Sequence, residues 1–191
     1  MLAIVTLVLA AFASATPVAP TCKPGFVSGS YNVLLSDNPS LGWQYSSSPA
    51  QVELVPLAIT NLTEPAVTWA VWPPNGSSPD WTFSSAQFPL LDSCALAPSS
   101  DAQELTHPTA LTTGKCIDPA TGYGSNQSIF SIECDTCASD FSANHGCVLT
   151  MPEVDSLCPV AGFKNLVSLV HCGDSHTRPR TGYKWDIILV P

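Results

Sequence analysis

The chain has 191 residues, 45% hydrophobic and only 11% charged, with fifteen acidic residues against six Lys and Arg and a net charge of −9. Such an acidic chain carries no electrostatic footprint for a phosphate backbone, which excludes nucleic acid as a partner class. Mean hydropathy is +0.21, yet beyond the N-terminus no stretch approaches the ~18 uninterrupted apolar residues of a membrane span.

The excess apolarity lies at the start. Residues 1–15 are apolar except for Thr6 and Ser14, and Ala13-Ser14-Ala15 offers the small residues that a signal peptidase needs. The expected organisation is a signal peptide over 1–15, an N-terminal extension over 16–27 and one domain over 28–191, secreted and extracellular. The n-region lacks Lys and Arg, and the rival reading is an uncleaved anchor, for which the apolar run is short. Three sequons, at Asn61, Asn75 and Asn126, agree with export, whereas Asn38-Pro39-Ser40 is blocked by its proline.

Eighteen prolines, all after residue 15, interrupt nearly every window in which a helix could propagate. What remains alternates. In chain order, the expected strands are Tyr31–Leu35, Gln51–Val55, the Val67/Trp69/Val71 face, Ser128–Cys134, Asn165–Cys172 and the Trp185/Ile187/Leu189 face. Trp69, Trp72 and Trp185 are expected in the core, and Trp43 and Trp81 are the candidates for exposure. Short strands separated by turn residues point to an all-β sandwich or barrel.

Eight cysteines, Cys22, Cys94, Cys116, Cys134, Cys137, Cys147, Cys158 and Cys172, all follow the signal segment, and six of them fall between Cys116 and Cys172. An even number in an exported chain implies disulfides, with connectivity open. The rival is a zinc site from Cys134, Cys137, His145 and Cys147, but oxidation wins outside the cell, so no metal and no cofactor is expected.

No catalytic motif survives scrutiny. Gly173-Asp174-Ser175-His176 lacks the α/β context that a serine esterase block needs, and no G-x-S-x-G elbow occurs. Glu153 and Asp155 read as an acidic loop rather than a glycosidase pair, and the histidines lack HExxH spacing. His171 reads as a satisfied strand residue. Four of the six basic residues lie between Lys164 and Lys184, an unremarkable density. The expected chain is not an enzyme.

A weak repeat remains. Asn165–Cys172 precedes a strand containing Trp185, Gln51–Val55 precedes one containing Trp69, and Ser128–Cys134 shares the apolar run ending in cysteine. Threefold repetition in an all-β chain is what a β-trefoil would show. Gly114-Lys115-Cys116-Ile117-Asp118, the apolar strand Ser128–Cys134, and Cys158 with Leu166–Cys172 and Tyr183-Lys184-Trp185 resemble the ricin-type lectin repeat, Gly-Lys-Cys-Leu-Asp, apolar strand-Cys, Gln-x-Trp. The resemblance covers about residues 110–191 by motif and 28–75 by strand pattern alone.

The resemblance implies a β-trefoil with shallow sugar pockets, in which a carboxylate, an aromatic face and an amide converge. Asp118 matches the pocket aspartate. Tyr123 and Phe130 are the stacking candidates, and Asn144 is the amide. Gln-x-Trp is missing from the middle repeat, where His145-Gly146-Cys147 stands, and Pro159-Val160 replaces the aspartate position of the last. It further implies the bridges Cys116–Cys134 and Cys158–Cys172, leaving Cys137–Cys147 as a local loop and Cys22–Cys94 to tie the N-terminus. The implied function is non-catalytic carbohydrate binding. The alternatives are a scaffold without sugar pockets that acts on an extracellular protein, such as a protease inhibitor or effector, and a structural wall component; another disulfide-stabilised β-barrel or β-sandwich is the alternative fold.

Overall fold

A computed structural model describes residues 21–47, 49–58, 61–74, 79–87, 93–98, 109–116, 125–172 and 182–191. Residues 1–15, expected to be a signal peptide, and Asn75, Asp118 and Tyr123 lie outside them. Among the described residues the strands in chain order are β1 (Ser30–Leu35), β2 (Asn38–Ser47), β3 (Ala50–Pro56), β4 (Trp69–Trp72), β5 (Thr82–Ser85), β6 (Cys94–Leu96), β7 (Thr109–Ala110), β8 (Thr112–Gly114), β9 (Ser131–Glu133), β10 (Thr136–Cys137), β11 (Ala143–Thr150), β12 (Leu157–Ala161), β13 (Val167–His171) and β14 (Trp185–Leu189). There is no α-helix among them.

Alternation puts one face of each strand inside. Tyr31, Val33 and Leu35, then Trp69 and Val71, then Trp185 and Ile187 are buried, with their intervening neighbours less so on β4 and β14. These strands form a ring that closes through antiparallel pairs: β1 with β4, β4 with β5, the Trp81–Phe130 bridge leading into β9, β9 with β11, β11 with β14, and β14 with β1. An even number of antiparallel staves lets direction alternate all the way round. The pairings also close a circuit of seven through β1, β2, β3, β8, β6, β5 and β4. An odd antiparallel circuit needs a bend, and the register breaks between Leu34 and Leu35 where β1 meets β2.

Hydrogen bonds repeat in threes. Tyr45 N donates to Ala66 O at 2.8 Å, Ala97 N to Gln127 O at 2.8 Å and Ala161 N to Gly182 O at 2.6 Å. Three residues beyond each acceptor stand Trp69, Phe130 and Trp185, all fully buried. The indoles make equivalent bonds, Trp69 Nε1 to Trp43 O and Trp185 Nε1 to Pro159 O, both across 26 residues. Each third therefore runs stave, hairpin, stave, with hairpins β2–β3, β6–β8 and β12–β13. The hairpins meet where Val52 N donates to Leu111 O and Leu111 N to Val167 O.

Two expectations are corrected by this frame. Ser128–Cys134 corresponds to the tryptophan strands and not to Gln51–Val55, so Phe130 occupies the place of the missing tryptophan. Trp43 is fully buried, its ring 5.4 Å from Trp185, 5.9 Å from Trp69 and 5.7 Å from Phe83. The surrounding sequence is polar because β2 turns its other face and its start to solvent.

The cysteines form four disulfides, Cys22–Cys137, Cys94–Cys116, Cys134–Cys147 and Cys158–Cys172. Only Cys158–Cys172 agrees with the pairing implied by the ricin-type pattern. Cys116 cannot reach Cys134 because it closes the β6–β8 hairpin onto Cys94, as Cys172 closes β12–β13 onto Cys158. The first third carries Gly42 and Leu57 in the same places: Leu57 N donates to Ser40 O as Cys172 N does to Ser156 O. The leucine side chain fills most of the space a Cβ at Gly42 would need, and Leu34 Cδ2 and the Val33 carbonyl stand close by at 3.0 and 3.1 Å, so β1 must give by a few tenths of an ångström. Gly42→Cys with Leu57→Cys should form the third bridge. Chain entropy favours it by about 3 kcal/mol for a loop this short, against about 2 kcal/mol of lost leucine burial. A net gain of about 1 kcal/mol, reversed by reductant, is expected in denaturant titrations.

The end of the ring away from the hairpins is covered by residues 21–29. Cys22 exchanges backbone hydrogen bonds with Cys134 at 2.9 Å, and Phe26 packs edge-on against Tyr31 and Trp81 at 5.1 and 4.7 Å. Tyr31 Oη accepts from Val27 N and donates to Val27 O. Burial, opposed by that bond, pushes the Tyr31 hydroxyl above its ordinary range.

Candidate functional site

Among the described residues, a cluster of polar side chains lies on the outer face of three adjacent staves. Asp186 stands between the buried Trp185 and Ile187, so its carboxylate points outward. Its Oδ1 accepts from Ser36 Oγ at 2.6 Å and from Gly146 N at 2.9 Å, and His145 Nδ1 lies 3.0 Å from Oδ2. Lys184 Nζ pairs with Asp135 Oδ2 at 2.5 Å, and Asp37 Oδ2 accepts from Gly182 N at 3.1 Å. Gly146 sits at φ +63, and a Cβ there would strike the Asp135 side chain, which accounts for a glycine in mid-strand.

Ser36, Asp186 and His145 are the residue types of a nucleophile triad, but in another order. The serine hydroxyl donates to the carboxylate, not to the imidazole, so the histidine is not placed to take its proton. The cluster laces β1, β11 and β14 together instead. Burial alone would raise the Asp186 carboxyl, but bonds from Ser36, Gly146 and His145 outweigh it and hold it below the usual carboxylate range. A depressed folded value gives stability that is present above the unfolded value and is lost as pH falls through the folded one. Asp186→Asn should cost about 1–2 kcal/mol at pH 7. The gap from the parent should close in unfolding titrations taken below about pH 4.

Sequence reading missed this cluster because its partners are remote: Ser36 and Asp186 are 150 residues apart, and no local motif announces them. His171 Nδ1 lies 3.2 Å from Asp155 O at an exposed strand end. Glu153 and Asp155 lie on an exposed turn. Cys134, Cys137 and Cys147 are all engaged in disulfides.

The structure does not bring the four expected sugar-binding residues together. Asp118 and Tyr123 lie outside the described residues. Phe130 is fully buried, its ring 5.3 Å from Phe83, and cannot stack on a ligand at the surface. Asn144 is also fully buried, opposite Ile187 on an inward face, and neither amide atom has a protein partner. The motif frame shifts too. The first cysteines of the hairpin bridges are Cys94 and Cys158, so the position of the ricin-type aspartate holds Leu96, Val160 and, in the first third, Gln44. Of the sequons, Asn61 is half-buried in a turn, and Asn126 is exposed at the start of a 3-10 turn.

No family model matches the chain, and no curated protein matches its sequence. Solved structures do match in fold. An E221Q mutant of a GH54 α-L-arabinofuranosidase superposes with a TM-score of 0.58 at 13% identity, over 88% of this chain and 32% of the enzyme. A GlcNAcα1-4Gal-releasing endo-β-galactosidase from Clostridium perfringens gives 0.54 at 8% identity, over 85% of this chain and 32% of that one. The BEL β-trefoil gives 0.52 at 10% identity, over 88% and 99%. The chain thus spans about a third of the two enzymes it resembles. At these identities the likeness is one of fold alone, an all-β chain closed into a barrel; the four disulfides are described for this chain.

Proposed function

We propose that the chain is a β-trefoil and serves as a secreted, non-catalytic carbohydrate-binding module. The observation that carries this reading is the threefold hydrogen-bond pattern, stave, hairpin and stave in each third. A barrel of this fold also forms about a third of two glycoside-cleaving enzymes. The four disulfides suit an oxidising exterior, and the ricin-type resemblance persists in Cys158–Cys172 and Trp185 of the last third. A second reading, a scaffold that acts on an extracellular protein, is favoured by Leu96, Val160 and Gln44 standing where the ricin-type pocket needs an acid.

A glycan array with the protein tests the first reading, starting with arabinofuranosyl-α-1,2-xylobiose, bound in a structure of an arabinofuranosidase of this fold (TM-score 0.60, 13% identity), and with GlcNAcα1-4Gal glycans, which the endo-β-galactosidase releases. Saturable binding is expected, and Asp118→Ala reports whether the motif aspartate takes part. Absence of binding across the array, with specific capture of one extracellular protein, replaces it with the second reading. N-terminal sequencing beginning at Thr16 checks export, and an intact Met1 overturns it.

A further inference from the structure

The hairpin β10–β11 closes with Ala138 N donating to Ala143 O at 2.8 Å and Phe141 N to Ala138 O at 3.0 Å. Phe141 takes φ +61 at its tip. Glycine or asparagine usually occupies such a position, and a bulky residue there is strained by about 1–2 kcal/mol. The strain delivers an aromatic ring to the surface: Phe141 is 40% exposed, and among the described large apolar residues only Val27, at 37%, is comparable.

The ring is also held. Gly25 lies beneath it, and a Cβ at that glycine would stand 2.7 Å from Phe141 Cδ1. Gly25 is fixed in turn by the Cys22–Cys137 disulfide and by Phe26, wedged between Tyr31 and Trp81. The residue before it is Asp140, whose carboxylate is exposed. Its Oδ1 accepts from Ser142 Oγ at 2.6 Å and from Ser142 N at 3.1 Å, and among the described residues Oδ2 accepts nothing. The Ser142 bonds hold the carboxyl below its usual range, so it is ionised at neutral pH.

We propose that Phe141 and Asp140 form a sugar-binding platform, in which the ring stacks on the C–H face of one saccharide unit and the free Asp140 oxygen accepts from its hydroxyls. This rests on the carbohydrate reading and gives that reading a location outside the ricin-type positions. One fixed aromatic ring flanked in sequence by the polar Ser139, Asp140 and Ser142 matches a single sugar ring, and its apolar area is far below what a protein interface buries. A preformed platform also loses little conformational freedom when it binds.

The test takes the best ligand from the array and titrates it calorimetrically against the full secreted protein and its Phe141→Gly, Asp140→Asn and Gly25→Ala variants. Phe141→Gly relieves the left-handed strain while removing the ring, so its Tm should stay within a few degrees of the parent while affinity falls about ten-fold or more. Gly25→Ala displaces the ring without changing its chemistry and should also weaken binding. Unchanged affinity in Phe141→Gly and Asp140→Asn, with binding lost in Asp118→Ala, overturns the platform and leaves the carbohydrate reading standing. A parent that binds no glycan overturns both, as does a protein ligand whose capture depends on Phe141 in the absence of glycan binding.

Discussion

Truncating Trp43 to alanine should destabilise the protein by about 3–5 kcal/mol, the largest effect expected of any single side chain here. The indole touches Trp69, Phe83 and Trp185, one ring from each of three staves. Its loss leaves a void that β-strands tied into a closed ring cannot collapse to fill. The backbone carbonyl of Trp43 still accepts from Trp69 Nε1, so the effect isolates packing from hydrogen bonding. Its own Nε1 has no protein partner, which limits what Trp43→Phe should lose to volume alone. Guanidinium titrations under non-reducing conditions measure both. A cost under about 1 kcal/mol for Trp43→Ala would remove the ring from the core.

The second large effect is expected at Cys22–Cys137, which closes a loop of 115 residues. Restriction of the unfolded chain by so long a loop is worth about 4–5 kcal/mol, where strain and residual structure do not reduce it. Cys22→Ser with Cys137→Ser should lower stability by that order and, in the folded state, free residues 21–29. Hydrogen exchange then reads the arm directly, with protection lost at Cys22 and Val27, whose amides are bonded to Cys134 and Tyr31, while β1 and β14 stay protected. Peptide mapping of the oxidised parent checks the pairing itself. A Cys22–Cys94 peptide, the arrangement implied by the ricin-type pattern, would refute the bridge described here.

The fold class was legible because periodicity and proline act locally. Gln51–Val55 and the Trp69/Val71 and Trp185/Ile187 faces alternate in sequence as they do in space, Tyr31–Leu35 is a short aromatic and apolar run bounded by polar residues, and Trp69 and Trp185 do occupy equivalent places. The strand β2 was not legible. Asn38, Pro39, Ser40 and Gly42 carry no strand signal, and its pairing along β3 comes from tertiary context. The middle third was misframed because phenylalanine stands at the tryptophan place and Cys134, just after β9, and Cys147 of β11 lie close in sequence to the cysteines of the hairpin bridge. Disulfide partners follow from which hairpin arms face each other, and spacing along the chain does not reveal that. Phe130 and Asn144 were chosen for their chemistry, but inward alternation decides their burial. Phe141 carried no sequence signal as a surface ring; its backbone angle and the glycine beneath it do.

The β1–β14 seam has a consequence for how the molecule is wired. Val190 N donates to Ser30 O at 2.8 Å, so the first and last staves end side by side. Each third carries the same stave, hairpin, stave order, and the seam between the last and first thirds is one of three alike. A circular permutant that joins Val190 to Ser30 by a short linker, and begins with the second or third third, keeps every pairing of the ring. The linker replaces residues 21–29 and Cys22 with them, so with Cys137→Ser it should fold with the other three disulfides, because the barrel depends on the cyclic order of its staves and not on which one comes first.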